Sequence, residues 1–311
     1  MNPSTALLLT SLSELQHTVT PRRGTPADSR ACFDLFIASV SDLGQRLGVE
    51  TITGGAEALE SLWVKRKPLF DHLAETADQW WIAEQDGTLS GYARSVLRDG
   101  VRQLTEFFVL PGAQSAGVGR AVLQRALPAD ARVRFLLATP DPRALVRYLK
   151  AGLSARFPVF HFHRNRRPLG SPEHLSASRL SGSAADLERL AAIDTDILGF
   201  RRDFDHRWLL NQREGYLYRL GDRVVGYGYI GLYSGPFALV DPAATGLVLT
   251  HAEGAAPGAD FGVEVPLINR AAVDYLLGAG YRMDSFVNHY MSDGEIGRFE
   301  RYLVTTPSFF I

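Results

Sequence analysis

Two pairs of segments in this 311-residue sequence resemble each other and occur in the same order. Residues 86–93, DGTLSGYA, match residues 221–228, GDRVVGYG, and residues 141–153, DPRALVRYLKAGL, match residues 269–281, NRAAVDYLLGAGY. The signals for strands and helices around these segments also recur in one order. Because two unrelated domains would not share that order, the sequence predicts a duplicated unit that mixes helices and strands, in the α+β class.

A change of composition marks the boundary between the two units. Residues 164–178, RNRRPLGSPEHLSAS, are rich in proline, serine, glycine and charge, as linkers often are. We therefore assign residues 1–168 to a first domain and residues 169–311 to a second. In each domain the pattern of hairpins, buried strands and helices predicts a mixed, mostly antiparallel sheet flanked by helices.

Composition restricts the partners of the chain. Apolar residues make up 46% of the sequence and charged residues 22%, which is the balance of a protein with a substantial core. Thirty-three basic and 34 acidic residues give a net charge of -1, so no overall field attracts nucleic acid or an anionic membrane. The N-terminus lacks the basic region of a signal peptide, and no window approaches about 18 uninterrupted apolar residues. We expect a cytoplasmic protein with no nucleic-acid or membrane partner, and we expect its single cysteine, Cys32, in the core.

The segment with the clearest chemical signal is residues 107–127, FFVLPGAQSAGVGRAVLQRAL. An apolar strand stops at a proline, a short turn follows, and apolar residues then resume with the period of a helix. Gln114, Gly117 and Gly119 give the turn the pattern Q-x-x-G-x-G. Glycines let a phosphate approach the backbone, the helix N-terminus offers free N–H groups, and Arg120 adds a positive charge. The turn is therefore predicted to hold a diphosphate.

Two familiar phosphate motifs do not fit this turn. A P-loop needs Gly-Lys-Ser/Thr, and the dinucleotide fingerprint needs a third glycine where this sequence has Val122. The turn instead resembles motif A of the GNAT superfamily of N-acetyltransferases. In that motif Gln or Arg, two residues, Gly, one residue, and Gly or Ala wrap the pyrophosphate of coenzyme A.

Residues 141–153 resemble motif B of the same superfamily, which often reads Asn-x-x-Ala-x-x-x-Tyr-x-x-x-Gly-Phe. The five positions are occupied here by Asp141, Ala144, Tyr148, Gly152 and Leu153. Aspartate in place of asparagine keeps a helix-capping side chain, and leucine in place of phenylalanine stays apolar. The resemblance covers residues 22–164 well and the second half in outline, and it implies two tandem GNAT-like domains.

The resemblance implies a function and a set of binding residues. The chain would be an N-acetyltransferase that uses acetyl-CoA as co-substrate and acetylates a primary amine, most simply that of a small molecule. The main chain of Phe107 and Val109 would contact the acetyl and pantetheine portion. The pyrophosphate would lie on the turn formed by Gln114, Ser115, Ala116, Gly117, Val118, Gly119 and Arg120.

Two residues are candidates for proton transfer. Tyr148 would donate a hydrogen bond or proton to the departing thiolate, since a thiol has a pKa of about 8.5 and a phenol a pKa of about 10. The alternative for Tyr148 is a ring packed against the sheet. Glu106, with Leu104 and Phe108 expected on its face of the strand, would accept a proton from the amine if partial burial raises its pKa. The alternative for Glu106 is an exposed carboxylate at a strand edge.

The second half lacks part of this chemistry. It keeps Asn269 at the start of motif B, but Leu276 occupies the tyrosine position and Gly246 is the single glycine of the corresponding turn. We expect this half to bind coenzyme A poorly or not at all and to shape the acceptor pocket. Arg201, which follows the first helix of this half, is a candidate for acceptor recognition, with an ordinary surface arginine as the alternative.

Some alternatives stay open at this stage. His161 and His163 share a sheet face at a spacing that metals use, but no third ligand is evident, so we expect no metal. A non-catalytic protein that binds or senses acyl-CoA is the alternative to an enzyme. No motif identifies the acceptor or distinguishes a monomer from a homodimer.

Overall fold

The computed structural model describes residues 19–49, 54–85, 87–113 and 117–306. Within these ranges the first half of the chain has six strands and four helices. The strands are β1 (Thr20–Arg23), β2 (Ala77–Gln85), β3 (Thr88–Arg98), β4 (Val101–Val109), β5 (Val133–Ala138) and β6 (Ser154–Asn165). The helices are α1 (Ser29–Leu47), α2 (Ala56–Thr76), α3 (Val118–Ala126) and α4 (Pro142–Lys150).

The second half, over the same described part of the chain, has seven strands and four helices. The strands are β7 (Leu175–Arg179), β8 (Glu214–Leu220), β9 (Arg223–Ile230), β10 (Phe237–Leu239), β11 (Asp260–Pro266), β12 (Arg282–Ser292) and β13 (Tyr302–Leu303). The helices are α5 (Ala184–Ile197), α6 (Asp203–Gln212), α7 (Thr245–Ala255) and α8 (Arg270–Gly278). From β1 to β6 and from β7 to β12 the order of strands and helices is identical, so the predicted duplication and the α+β class are confirmed.

Local sequence signals place the helix ends. Asp141 caps α4 by accepting a hydrogen bond from the Arg143 backbone N–H at 3.0 Å, and Pro142 follows it at the first helical position. The corresponding residue of the second half, Asn269, caps α8 through the Ala272 N–H at 3.1 Å. Both copies of motif B, one in each half of the chain, therefore begin their helices with the same kind of cap.

The two halves exchange strands within one sheet. The eight-stranded sheet has the order β1-β2-β3-β4-β5-β12-β6-β11, and the five-stranded sheet has the order β13-β10-β9-β8-β7. Strand β12 of the second half lies between β5 and β6 of the first, with His289 opposite Ala138 on one side and Asn288 opposite Val159 on the other. The stretch predicted as a linker partly belongs to strands, because β6 ends at Asn165 and β7 begins at Leu175. The division at residue 168 stays an interpretation.

Helices cover both faces of the sheet in the first half. Successive residues of a strand point to opposite faces, and Ile82 packs with α1 and α2 whereas Ala83 packs with α3 and α4. The same division holds for Tyr92 and Ala93 on β3. Cys32 is fully buried in the α1–α2 cluster, and burial raises the pKa of its thiol, so the predicted core position is confirmed.

Candidate active site

A cleft opens where two parallel strands diverge. Strands β4 and β5 pair only from Val101 opposite Val133 to Leu104 opposite Leu136, while β4 continues to Val109. The cleft between them has a volume of about 260 Å³ and is lined by residues of α1, β4, β5, α4 and β12. Over the last residues of β4, one edge of this strand has no strand partner among the described residues.

The backbone of β4 determines which groups face this cleft. The Leu110 N–H donates to the Ser90 carbonyl at 2.8 Å, on the side of β3. Because N–H and C=O groups of an antiparallel strand alternate in direction, those of Phe107 and Val109 point toward the cleft. Consistent with this direction, the Val109 carbonyl accepts a hydrogen bond from Ser39 Oγ of α1 at 3.3 Å. That these two residues contact an acyl donor stays a prediction.

Part of the predicted phosphate turn is described. Gln114, Ser115 and Ala116 lie outside the described residues. Gly117 precedes α3 with a φ of 81°, in the left-handed region that favours glycine, and a Cβ added there would meet no described atom within 4 Å. Val118 is buried under the sheet, so its contribution to any ligand would come from its backbone N–H. Nothing in the described part of the chain therefore blocks this side of Gly117 from an anion.

Gly119 brings the first turn of α3 close to the end of β4. A Cβ at this position would lie 3.2 Å from Phe107 Cζ, 3.2 Å from Val109 Cγ2 and 3.4 Å from Arg147 Cζ. Arg147 also lines the cleft, so its guanidinium lies beside the positive end of α3. Arg147 directly precedes Tyr148 in motif B, but no motif position or apolar period in the sequence pointed to it. Together with the exposed Arg120, it makes this end of the cleft basic.

Tyr148 lies in the wall of the cleft and is 6% exposed. Its ring packs edge-on against the ring of Phe107, with 5.9 Å between the ring centroids. Burial raises the pKa of the phenol, and the negative charge of Asp141 raises it further. The phenol therefore stays protonated at neutral pH, as a proton donor must. Its packing against Phe107 fits the structural alternative equally well, so the role of Tyr148 stays a prediction.

Glu106 is buried rather than exposed at an edge. Its Oε2 lies 2.8 Å from Arg94 Nε, and its Oε1 accepts a hydrogen bond from the Tyr92 hydroxyl at 2.9 Å. Burial raises the pKa of Glu106, although the Arg94 charge and the Tyr92 hydrogen bond act in the opposite direction. Arg94, which the sequence analysis did not identify, also stacks over Trp80 with 4.1 Å between its Cζ and the ring centroid. The predicted rise in the pKa of Glu106 is thus present, and a catalytic role stays a prediction.

The prediction that Leu104 and Phe108 share a face of β4 with Glu106 was wrong for Leu104. Ser95 of β3 pairs with Leu104 and Arg94 pairs with Glu106, so Thr105 is an extra residue on β4. This bulge moves Leu104 into the cluster around α3, whereas Glu106 lies against Tyr92 on the α1–α2 face. Simple alternation along a strand does not hold across a bulge.

The second half contributes a different residue to the cleft from the one predicted. Asn288 of β12 lines the cleft. Arg201 is not among the lining residues that the structure describes. It is exposed and forms surface ion pairs with Glu188 at 2.8 Å and Asp203 at 3.0 Å. The observed arrangement of Arg201 corresponds to the alternative, an ordinary surface arginine.

The slot of the second half that corresponds to the cleft is filled. Strand β13 pairs with β10 on one side, and the Val304 N–H just after it donates to the Glu264 carbonyl of β11 at 3.0 Å on the other. Asn269 Nδ2 donates to the Tyr302 carbonyl at 3.1 Å. The ring of Tyr275 covers the first turn of α7, where a Cβ on Gly246 would lie 2.9 Å from it. The weak coenzyme binding expected of this half therefore has a structural basis, although it stays a prediction.

The remaining candidates give no metal site in the described part of the chain. Asp284 accepts from His161 Nδ1 at 2.9 Å and lies 2.8 Å from His163 Nε2, and the two imidazole rings stack with 5.6 Å between centroids. Over residues 19–306, apart from the short gaps, no group of three or more His, Cys, Asp or Glu side chains is placed to hold a metal ion. Within the same described ranges, no helix is both long and apolar enough to cross a bilayer.

Comparisons with known proteins agree with this architecture. Residues 53–152 match the model of the acetyltransferase (GNAT) family. No sequence among curated proteins matches the chain. A putative acetyltransferase from Pyrococcus horikoshii is 15% identical with a TM-score of 0.68 over 91% of this chain and 92% of that one. A GCN5-related N-acetyltransferase from Sphaerobacter thermophilus is 15% identical with a TM-score of 0.55 over 88% of this chain and 95% of that one.

A third solved structure has the same tandem arrangement. The tandem GNAT protein from the clavulanic acid biosynthesis pathway is 14% identical with a TM-score of 0.53, covering 89% of this chain and 99% of that one. At these identities the structural likeness establishes the fold alone. The first half of the chain thus contains a domain of the acetyltransferase (GNAT) family, and the whole chain has the fold of tandem GNAT proteins.

Proposed function

We propose that the chain is an acetyl-CoA-dependent N-acetyltransferase that acts on a primary amine of a small molecule, with one active site in its first half. The observation that carries this proposal is the open cleft between β4 and β5, with the N-terminus of α3 at one end and Tyr148 in its wall. The corresponding slot of the second half is occupied by β13.

The cleft offers complementary groups for both ends of acetyl-CoA. The N–H and C=O groups of Phe107 and Val109 face the cleft and are available to the thioester and pantetheine amides. The backbone N–H groups at Gly117–Gly119 and the side chains of Arg120 and Arg147 suit the pyrophosphate. A donor bound in this way would direct its acetyl group toward the wall that contains Tyr148.

The reaction needs two proton movements. The neutral amine attacks the thioester carbonyl carbon, a C–N bond forms, and collapse of the tetrahedral adduct breaks the C–S bond. Tyr148, protonated at neutral pH, donates a hydrogen bond or proton to the departing coenzyme A thiolate. The proton lost by the amine goes to Glu106, which lines the cleft and has a raised pKa, directly or through water, or it goes to solvent.

A screen with the full-length chain tests the proposal. Because β12 lies between β5 and β6, an isolated first half would lack a central strand. Acetyl-CoA is incubated with a panel of primary amines, and free thiol and acetylated product are both measured. Amine-dependent release of coenzyme A with an equal amount of N-acetyl product supports the proposal. Tight binding of acetyl-CoA without turnover for any amine would favour the alternative, a protein that binds or senses acyl-CoA.

A further inference from the structure

A second cavity lies at the seam between the two halves. It has a volume of about 190 Å³ and is lined by residues of α2 from the first half and by α6, the β9–β10 connection and the segment after β13 from the second. It shares no lining residue with the cleft. The proposed acetyltransferase reaction leaves this cavity without a role.

The charged residues that line this seam cavity in the described part of the chain are all basic. Lys65, Arg66 and Arg213 line it, and the described lining residues include no aspartate or glutamate. Arg213 already donates to two carbonyl oxygens, those of Gly235 and, at 2.6 Å, Thr306. Burial lowers the pKa of Arg213, and the neighbouring Arg66 charge helps to bring it to about 10.

Arg66 has no anionic partner among the described residues. Its guanidinium lies over the ring of Tyr233, with 4.9 Å between Cζ and the ring centroid. Burial lowers the pKa of Arg66, and only the Tyr233 hydroxyl opposes this. A partly buried arginine beside a second arginine is usually paired with a carboxylate or phosphate. Here that partner is absent from the described protein atoms, so a ligand could supply it.

The remaining walls of the seam cavity are mostly apolar, with Gln212 and Thr305 as the polar exceptions, and Trp208 is held in place. Trp208 Nε1 donates to the Pro68 carbonyl at 3.0 Å, and the Trp208 ring stacks on His72 with 5.3 Å between centroids. Leu69 is buried beneath the cavity, while Leu232 is 64% exposed at its border. A ligand with an apolar body would cover this exposed side chain.

We propose that the seam cavity binds a small organic monocarboxylate with an aromatic or branched apolar body. The carboxylate would pair with Arg66, and the body would lie against Trp208 and Tyr233. Each terminal nitrogen of Arg213 donates one hydrogen bond to a carbonyl oxygen, so the group left to pair with a single carboxylate is the planar guanidinium of Arg66, which has no such acceptor among the described residues. Because α2 and α6 both line the cavity, the ligand would bridge the two halves.

The test uses the full-length chain with benzoate as the probe, in a chloride buffer without other carboxylates or phosphate. Isothermal titration should give one benzoate site, and binding should change the tryptophan fluorescence through Trp208. Benzamide, which has nearly the same shape but no charge, should bind at least about tenfold more weakly. Saturating coenzyme A should leave the benzoate affinity unchanged, because the two cavities share no residue.

Variants locate the site. Arg66→Met should weaken benzoate at least about tenfold. Leu232→Glu should also weaken benzoate binding, because it places a competing carboxylate beside Arg66. Since Leu232 is exposed, this variant should fold, and it provides the test if Arg66→Met does not fold. Lys67→Met is the matched control, because Lys67 is exposed on the same helix and pairs with Asp71 at 2.6 Å. Unchanged benzoate affinity in the folded variants, equal affinity for benzamide, or displacement of benzoate by coenzyme A would each overturn the proposal.

Discussion

Replacing Gly117 separates the backbone and electrostatic contributions of the proposed phosphate turn. A Cβ at this position meets none of the described atoms within 4 Å, so the added side chain does not clash with that part of the chain. With its φ of 81°, any other residue loses about 1–2 kcal/mol of stability. Gly117→Ala and Gly117→Glu share this loss, whereas only glutamate adds a negative charge beside the N-terminus of α3.

The size of the electrostatic effect follows from Coulomb's law. The introduced carboxylate would repel each of the two phosphates of coenzyme A's pyrophosphate. At about 6 Å, these two like-charge pairs cost about 1.4 kcal/mol in bulk water, and about four times more at an effective dielectric constant of ~20. Gly117→Glu should therefore weaken coenzyme A by about tenfold or more relative to Gly117→Ala, and the difference should shrink in high salt. Isothermal titration of both full-length variants measures this. Equal affinity of the two variants for coenzyme A would refute a diphosphate site at this turn.

Three further substitutions test the proposed chemistry and the junction between the halves. Tyr148→Phe should lower kcat by about ten- to a thousandfold with little change in coenzyme A affinity, and unaltered turnover would remove Tyr148 from the mechanism. Glu106→Gln should remove the acidic limb that Glu106 contributes to the pH dependence of kcat at saturating amine, since burial raises the pKa of Glu106 and its protonated form accepts no proton; an unchanged profile of kcat would exclude it as the base. Asp205→Asn should cost about 3–5 kcal/mol in denaturant unfolding, because it leaves Arg98 buried without its carboxylate. Burial raises the pKa of Asp205, but hydrogen bonds from His72 and Arg98 lower it overall. The ionised carboxylate therefore contributes its full stabilisation above about pH 4. The difference in unfolding free energy between the original chain and Asp205→Asn should narrow as the pH falls below that value. A gap that does not change with pH would contradict this assignment.

Local patterns in the sequence predicted local structure well. The repeated segments correctly indicated the duplication, and the motif B pattern predicted α4 together with its cap at Asp141. The position of β12 between β5 and β6 depends on pairing between residues far apart in the chain, and no local period encodes it. Asn288 could not be assigned to the cleft for the same reason. Arg94 was missed because the bulge at Thr105, which sets it opposite Glu106, leaves no mark in the apolar pattern.

The segment that follows the exchanged strand explains why two copies of one fold differ in their slots. After β12 the chain continues to β13, which lies between β10 and β11 and closes the slot of the second half. After β6 the chain instead leaves through residues 166–174 to begin β7, and none of the described residues returns to pair between β4 and β5 beyond Leu104 and Leu136. The first slot stays open for this reason.

The exchange also gives the second half a role that does not require its own ligand. Strand β12 pairs with both β5 and β6, so its removal would expose two strand edges in the first half. It also carries Asn288 to the cleft. A second half with a closed slot is therefore still needed to complete the sheet on which the open cleft of the first half is built.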